Sequence, residues 1–463
     1  MQIVSSNKSY SYFLILVAFV ALATIFLIHH FSYQATVSAL IPEPGSLPLL
    51  DNKSVILSDL SLKIEVFATG LKKPTNMAFL DSGDVLVLEK QNGTVRKIVN
   101  GSVLPEPLLD VNVANFDTRG MLGIAIAKNE TRGVEYVFLY YTDAGYGLGD
   151  GEDRCKSPSQ CLLDSINQPS GNVLYRYELS KDEKELTNKK LLLNFSALPG
   201  ATHNGGEMVV GPDNNIYIIT GNAENKTTPV SNSKKNPNID GKAGILALNH
   251  DGRPAFPNGI LGSEEPLNKY YAYGIRNGFG LDFDPISGKL WDTENGPTYG
   301  DEINLVEPGF NSGYKEIMGF WKKSSSGQLE IIKDIDSYDG VKLQNFNGKG
   351  KYSSPELAWN QTIAPTAIKF LKSNKYGKDY QNDILVGSAT GYVFHFDLNS
   401  NRTELYLKGP LKDRIANNYG DELPNNIFGD GFDVISDITV GPDGYLYIVS
   451  LTKGEIYRII PSS

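Results

Sequence analysis

The stretch GPDGYLYIVSLTKGEIYRI, residues 441–459, carries the reading of the fold. A Pro-Asp-Gly turn leads into a run of β-formers, a second Gly turn follows, and another β-rich run closes the segment. Turns of this kind between β-branched and aromatic residues predict a hairpin. The same theme recurs at SGDVLVLEKQNGTVRKI (82–98), VEYVFLYYTDA (134–144), GPDNNIYIITGN (211–222), SGKLWDTENGP (287–297) and NDILVGSATGYVFHFDL (382–398). Six such cores at intervals of roughly 65 residues suit small antiparallel sheets set radially as propeller blades. A ring of blades also removes the exposed edges that separate hairpins would leave. The expected fold is all-β, a six-bladed β-propeller over residues 62–463, with 145–170 and 223–242 as loops on one face. A large β-sandwich, or two β-domains, is the competing architecture.

Composition agrees with β structure: 46 Gly, 25 Tyr and 20 Phe stand in 463 residues. The formal charge of -10, with no dense Lys/Arg cluster, excludes a nucleic-acid partner, because phosphate binding needs a basic face. Residues 12–28 (YFLILVAFVALATIFLI) are uncharged and mostly apolar, preceded by Lys8 and followed by His29 and His30. That length suits a membrane-spanning signal anchor within residues 1–32; a cleaved signal peptide ending near Val37-Ser38-Ala39 is the alternative. Either one exports the body, leaving 33–61, with its IPEPGSLP, as a linker. Cys155 and Cys161, the only cysteines, have five residues between them in a polar loop and read as a local disulfide in an oxidising compartment. Nine N-x-S/T sequons point the same way, weakly, since an Asn-rich chain yields several by chance. The expected location is the cell membrane with the body outside, or secretion.

Three places carry candidate chemistry. His203, in ATHNGGE, is one of three histidines in the body; an imidazole near neutrality can take a proton from an alcohol, although a lone loop His is more often ordinary surface. His395, in YVFHFDL, reads as a packed strand residue and His250, in NHDGRP, as a turn residue. Arg276 and Asn277 sit among Gly and aromatics in YAYGIRNGFGLDFDP, where a fixed guanidinium either grips a ligand or braces two blades. Glu294-Asn295-Gly296-Pro297, followed by Asp301 and Glu302, combines loop carbonyls with carboxylates. That is an oxygen set suited to Ca²⁺, or simply an acidic turn.

Taken together and in order, GMLGI (120–124) with YVFLYYT, HNGGEMVVGPDNNIYIITGN, the run from YAYGIRNG through WDTENGPTYGDEIN to GFNSGY, and the last GPDG hairpin resemble the glucose/sorbosone dehydrogenase family. The resemblance spans residues 63–460 and implies a six-bladed propeller that oxidises aldoses with pyrroloquinoline quinone (PQQ) and calcium. It implies His203 as general base toward the anomeric hydroxyl, Arg276 and Asn277 as contacts to the quinone, and Gly296, Pro297 and Glu294 around the metal. It also implies a small sugar substrate and an external electron acceptor. The chain departs from the family where the PQQ carboxylates are gripped. Gly387-Ser388-Ala389-Thr390 and Val434-Ile435-Ser436-Asp437 carry no basic residue, which leaves Lys369 or Arg414 as substitutes. Those departures keep a second expectation open, a non-catalytic propeller that binds a glycan or a protein on the same face. A calcium-dependent lactonase is a third, with fewer inward-pointing acids than such a site needs.

Overall fold

The computed structural model describes residues 54–462 apart from 130, 146–170, 199, 225–227, 234–237, 325, 333–342 and 418–421. The apolar run 12–28 and both cysteines therefore lie outside the described residues.

Six blade sheets, built mainly of antiparallel strands, follow one another along the chain, and a small three-stranded sheet of Ile317–Met318, Trp321–Lys323 and Leu329–Ile331 is separate from them. Their innermost strands are Pro74–Phe79, Met121–Asn129, Met208–Val210, Gly278–Phe283, Pro365–Phe370 and Ile435–Val440. Each of these lies against the next, and the last lies against the first, so the six blades close into a ring. Closure is made by pairing across the whole chain. Leu62–Ala68 is the outer strand of blade 6 and runs antiparallel to Glu455–Pro461, with Leu62 opposite Pro461 and Val66 opposite Tyr457. Within the stretch the sequence assigns to a linker, Ile56–Leu57 pairs with Ile427–Asp430 on the edge of blade 5. Among the described residues the helical segments are short 3-10 turns.

The repeated hairpin motif has a local cause. In blades 3 and 6 the turn closes from Gly211 N–H to the Asn215 carbonyl and from Gly441 N–H to the Tyr445 carbonyl, both at 2.8 Å. The aspartate of each turn accepts the hydroxyl of a tyrosine four residues on, Tyr217 to Asp213 at 2.9 Å and Tyr447 to Asp443 at 2.8 Å. A Cβ on Gly211 or Gly441 would meet the carboxylate of that aspartate at 2.6 Å, so a larger residue at the first position would push the aspartate off its tyrosine.

The strand that follows each inner strand is buried along its whole length in blades 1, 3, 4, 5 and 6, for example Ile216–Thr220 and Leu446–Ser450. A blade is covered on both faces by its neighbours, so these strands read as apolar runs and not as apolar-polar alternation. Hydrophobic clusters occupy each gap between successive blades: 1 and 2, 2 and 3, 3 and 4, 4 and 5, 5 and 6, and 6 and 1. Each fully buried Leu, Ile or Phe there contributes about 1.5–3 kcal/mol. The blades are held by side faces, which leaves the axis of the ring free for polar groups.

Candidate functional site

A cavity of about 330 Å³ lies on that axis. Residues at the inner strand of every blade, or just before it, line it: Thr75, Leu122, Glu207, Asn277, Thr366 and Ile435 among them. Its walls are largely apolar. Leu122, Phe279, Ala364, Ala389, Val434, Ile435 and Leu451 all face it, with Lys90, Asp117 and Glu207 as the ionisable groups.

His203 and Arg276 meet beside this cavity. Residues 221–223 run between them: Asn222 N–H donates to the Arg276 carbonyl at 2.9 Å, and Ala223 N–H to the His203 carbonyl at 3.1 Å. Gly221 makes the approach possible, because a Cβ there would lie 2.2 Å from the His203 carbonyl oxygen. His203 itself takes a left-handed backbone, φ 61°. Its Nδ1 lies 2.7 Å from Asn222 Oδ1. The Asn222 amide donates to the Tyr314 hydroxyl at 2.8 Å, which makes Oδ1 the acceptor and puts the imidazole proton on Nδ1. Nε2 is then the basic nitrogen. Burial, then the nearby Arg276 charge, pulls the His203 pKa down to about 4, against the Asn222 hydrogen bond. The ring is neutral at pH 7 and able to accept a proton.

The His203 loop is tied to blade 2 from behind. The buried Arg119 guanidinium donates to the Ala197 carbonyl at 2.7 Å and the Gly200 carbonyl at 3.0 Å. Asn204 bridges Thr118 and the Ala201 carbonyl and accepts from Asn172.

On the other side, Arg276 Nη1 donates to the carbonyls of Asn295 at 2.9 Å and Gly296 at 2.8 Å. The Gly296 N–H donates to Asp301, whose other oxygen accepts from Thr362, Ile363 and Ala364. The Asn277 carbonyl accepts from the Asn295 backbone at 2.8 Å, and its buried side-chain oxygen has no hydrogen-bond partner. So Arg276 and Asn277 do sit beside the cavity, but the guanidinium braces the 294–297 loop.

The calcium set divides. Gly296 offers its carbonyl to a guanidinium, Pro297 is exposed, and a divalent ion on that oxygen would face the Arg276 charge. Glu294 instead points into blade 4, where its carboxylate accepts from Arg276 N–H at 2.9 Å. There it joins Asp292 and Glu302, all three buried. Burial above all raises all three, Asp292 to about 8, Glu302 to about 7 and Glu294 well up, with neighbouring carboxylates adding to it: Glu302 beside Asp292 and Glu294, and Asp301 beside Glu302. Asp292 Oδ2, Glu294 Oε1 and Asn304 Oδ1 have no hydrogen-bond partner. Their oxygens do not gather as a metal's ligands would: among the described residues, the acidic and imidazole groups close enough together for that are Asp383, His395 and Asp397.

PQQ brings three carboxylates. Among the described residues Lys90 is the one cation lining the cavity, and its ammonium donates to the Asn115 carbonyl at 3.1 Å. The two substitutes read from the sequence are committed elsewhere. Lys369 Nζ pairs with Asp282 at 3.0 Å. Arg414 lies over the Phe320 ring and near the Pro355 carbonyl. The cavity suits a flat ring in size; its charge does not suit a trianion.

Asn222, Tyr314 and Lys90 were not singled out in the sequence. Asn222 and Tyr314 close the GPDNNIYIITGN and GFNSGY segments, so position at a strand end was their one signal. His250 is more than a turn residue: its ring packs against Tyr136 and Phe138. His395 stands on its strand as expected, with Nε2 3.1 Å from Asp383.

Comparison with known proteins places this geometry. The profile of the glucose/sorbosone dehydrogenase family matches residues 71–458. An aldose sugar dehydrogenase of Escherichia coli is 24% identical over 411 residues, 87% of this chain and 93% of its own. Quinoprotein glucose dehydrogenase B of Acinetobacter calcoaceticus is 26% identical over 471 residues, 88% of this chain and 87% of its own. Among solved structures, the soluble aldose sugar dehydrogenase of E. coli superposes with a TM-score of 0.62 at 22% identity, covering 87% of this chain and all of that one. The PQQ-bound aldose sugar dehydrogenase of Streptomyces coelicolor gives 0.58 at 20% identity, covering 87% and 98%.

Proposed function

The chain belongs to the glucose/sorbosone dehydrogenase family, and from that premise we propose that it oxidises the C1 hydroxyl of an aldose outside the cytoplasm, with His203 as the base. The observation that carries this is the state of His203: neutral, protonated on Nδ1 through Asn222 and Tyr314, with Nε2 left to accept. A sugar held over the axial cavity gives its hydroxyl proton to Nε2 while the C1 hydride leaves toward the cavity. Arg276 keeps a positive charge beside this site, favouring the alkoxide that forms as the proton departs. The base itself is worth about 10²–10⁴-fold in rate. Because the cavity does not suit the charge of PQQ, no step is assigned to that cofactor. Export rests on the apolar run 12–28, which would also tether the body to the membrane, and on the Cys155/Cys161 pair. Aldose-dependent reduction of an artificial dye tests the reading.

A second reading, a non-catalytic propeller that binds a glycan or a protein, is favoured by one observation, the shortage of cations around the cavity.

A further inference from the structure

We infer that the axial cavity takes an uncharged, ring-shaped quinone as hydride acceptor in place of the tricarboxylate PQQ. The inference rests on the dehydrogenase reading above. Two features of the cavity carry it. Its wall is mainly carbon, with seven apolar residues in it, among them Ala389, Val434 and Ile435 from blades 5 and 6. Its floor is acidic: Glu207 lines it, and its carboxylate accepts from Asn76 at 2.7 Å. Asp437 and Asp282 stand behind Glu207, with Lys369 as the cation among them and paired to Asp282. Asp117 adds an acid at the wall, and Lys90 sits opposite with its ammonium held by a backbone carbonyl. Carboxylates entering this space would exchange water for apolar side chains and for Glu207, whose own carboxyl is held toward its neutral form by burial and by Asp437. Those are the conditions in which a buried anion is most costly. A neutral ring loses little hydration there, and the Asn277 side-chain amide, whose oxygen makes no hydrogen bond, is the polar group at hand for a quinone oxygen, since Thr75, Thr118, Thr366 and Asn295 already donate to backbone carbonyls.

The chemistry balances. The C1–H pair passes as hydride to the quinone, the hydroxyl proton passes to His203, and the C1–O bond becomes a carbonyl, giving the lactone. The quinone, reduced by two electrons, takes up one further proton from solvent to give the quinol.

The test is calorimetric titration of the folded chain with PQQ and with its uncharged trimethyl ester, in Ca²⁺-containing buffer. The ester should bind at least ~10-fold more tightly than PQQ, a difference of about 1.4 kcal/mol. Ala389→Lys, which puts a cation into the apolar wall, should raise affinity for PQQ and leave the ester unchanged. Equal or tighter binding of PQQ by the natural chain overturns the inference, as does binding of neither compound. Dye-linked aldose oxidation is measured on the same preparation. Activity together with a preference for PQQ sinks this inference alone, whereas no aldose oxidation with any acceptor sinks the dehydrogenase reading.

Discussion

Replacing His203 by Asn should lower aldose oxidation about 10²–10⁴-fold, the range for loss of a positioned base, and leave the melting temperature nearly unchanged. Asparagine is the informative substitution because residue 203 sits at φ 61°, a conformation that Asn tolerates and most residues do not. Asn can still bond Asn222 but cannot take a proton. The pH dependence of the natural chain gives a second readout. A solvent-exposed histidine would impose an acid limb near pH 6.5. Burial, and after it Arg276, holds His203 near 4, so kcat/KM should stay level from pH 8 down to about 5 and fall only below that. Removing the Arg276 charge should shift the limb upward by part of that difference, burial being the larger cause. The linkage to stability has the matching sign. The folded state binds this proton less readily than the unfolded one, so the contribution is complete above about pH 6.5 and is lost as pH falls toward 4. A limb near 6.5 in the natural chain would mean that the base is another, more exposed group.

Lys369→Met should be the most destabilising single change on the ring axis, at about 3 kcal/mol. Lys369 pairs with Asp282 at 3.0 Å, and Asp437 and Glu207 lie near the same ammonium. Burial alone would lower its pKa, but those three carboxylates outweigh it and hold the ammonium charged. Taking the cation away leaves their charges with each other. The Asp282 carboxylate also accepts the Phe370 N–H at 2.8 Å, so the register of blade 5 against blade 4 depends on it. Urea unfolding should show a lower midpoint with an unchanged slope. A double variant, Lys369→Met with Asp282→Asn, should recover part of the loss. If the single variant is as stable as the natural chain, the channel carboxylates are protonated or hydrated and need no cation.

The sequence made the blades legible because a Gly, Asp or Asn turn followed by a β-rich run recurs where the hairpins form, in blades 3 and 6 as a GPD turn with a tyrosine four residues after its aspartate. It hid the full burial of strands such as Leu446–Ser450, since a blade packed on both faces lacks the alternation that marks a half-exposed strand. Ring closure by Leu62–Ala68 against Glu455–Pro461 was equally hidden, because no local pattern announces a pairing across the whole chain. In the site, His203 and Arg276 were readable from their glycine-rich surroundings. The role of Arg276 as a brace for the Asn295 and Gly296 carbonyls was not, because it depends on how a loop folds back. The separation of Glu294 from Gly296 follows from strand geometry. Glu294 is the last residue of Leu290–Glu294, directly opposite Glu302, and its side chain points into the sheet while the loop carbonyls beyond it turn toward Arg276. Lys369 and Arg414 looked available in one dimension, and their partners Asp282 and Phe320 appear only in three.

Oxidation of an aldose carrying deuterium at C1 tests the central claim most directly. Initial rates of dye reduction are compared with those for the protonated sugar, with an uncharged quinone as mediator. The account predicts aldose-dependent dye reduction that is slower with the deuterated sugar and about 10²–10⁴-fold slower in the His203→Asn variant, since hydride leaves C1 in the step that His203 assists. No aldose-dependent reduction with any sugar, with or without PQQ, would contradict it and leave a propeller that binds its ligand without oxidising it.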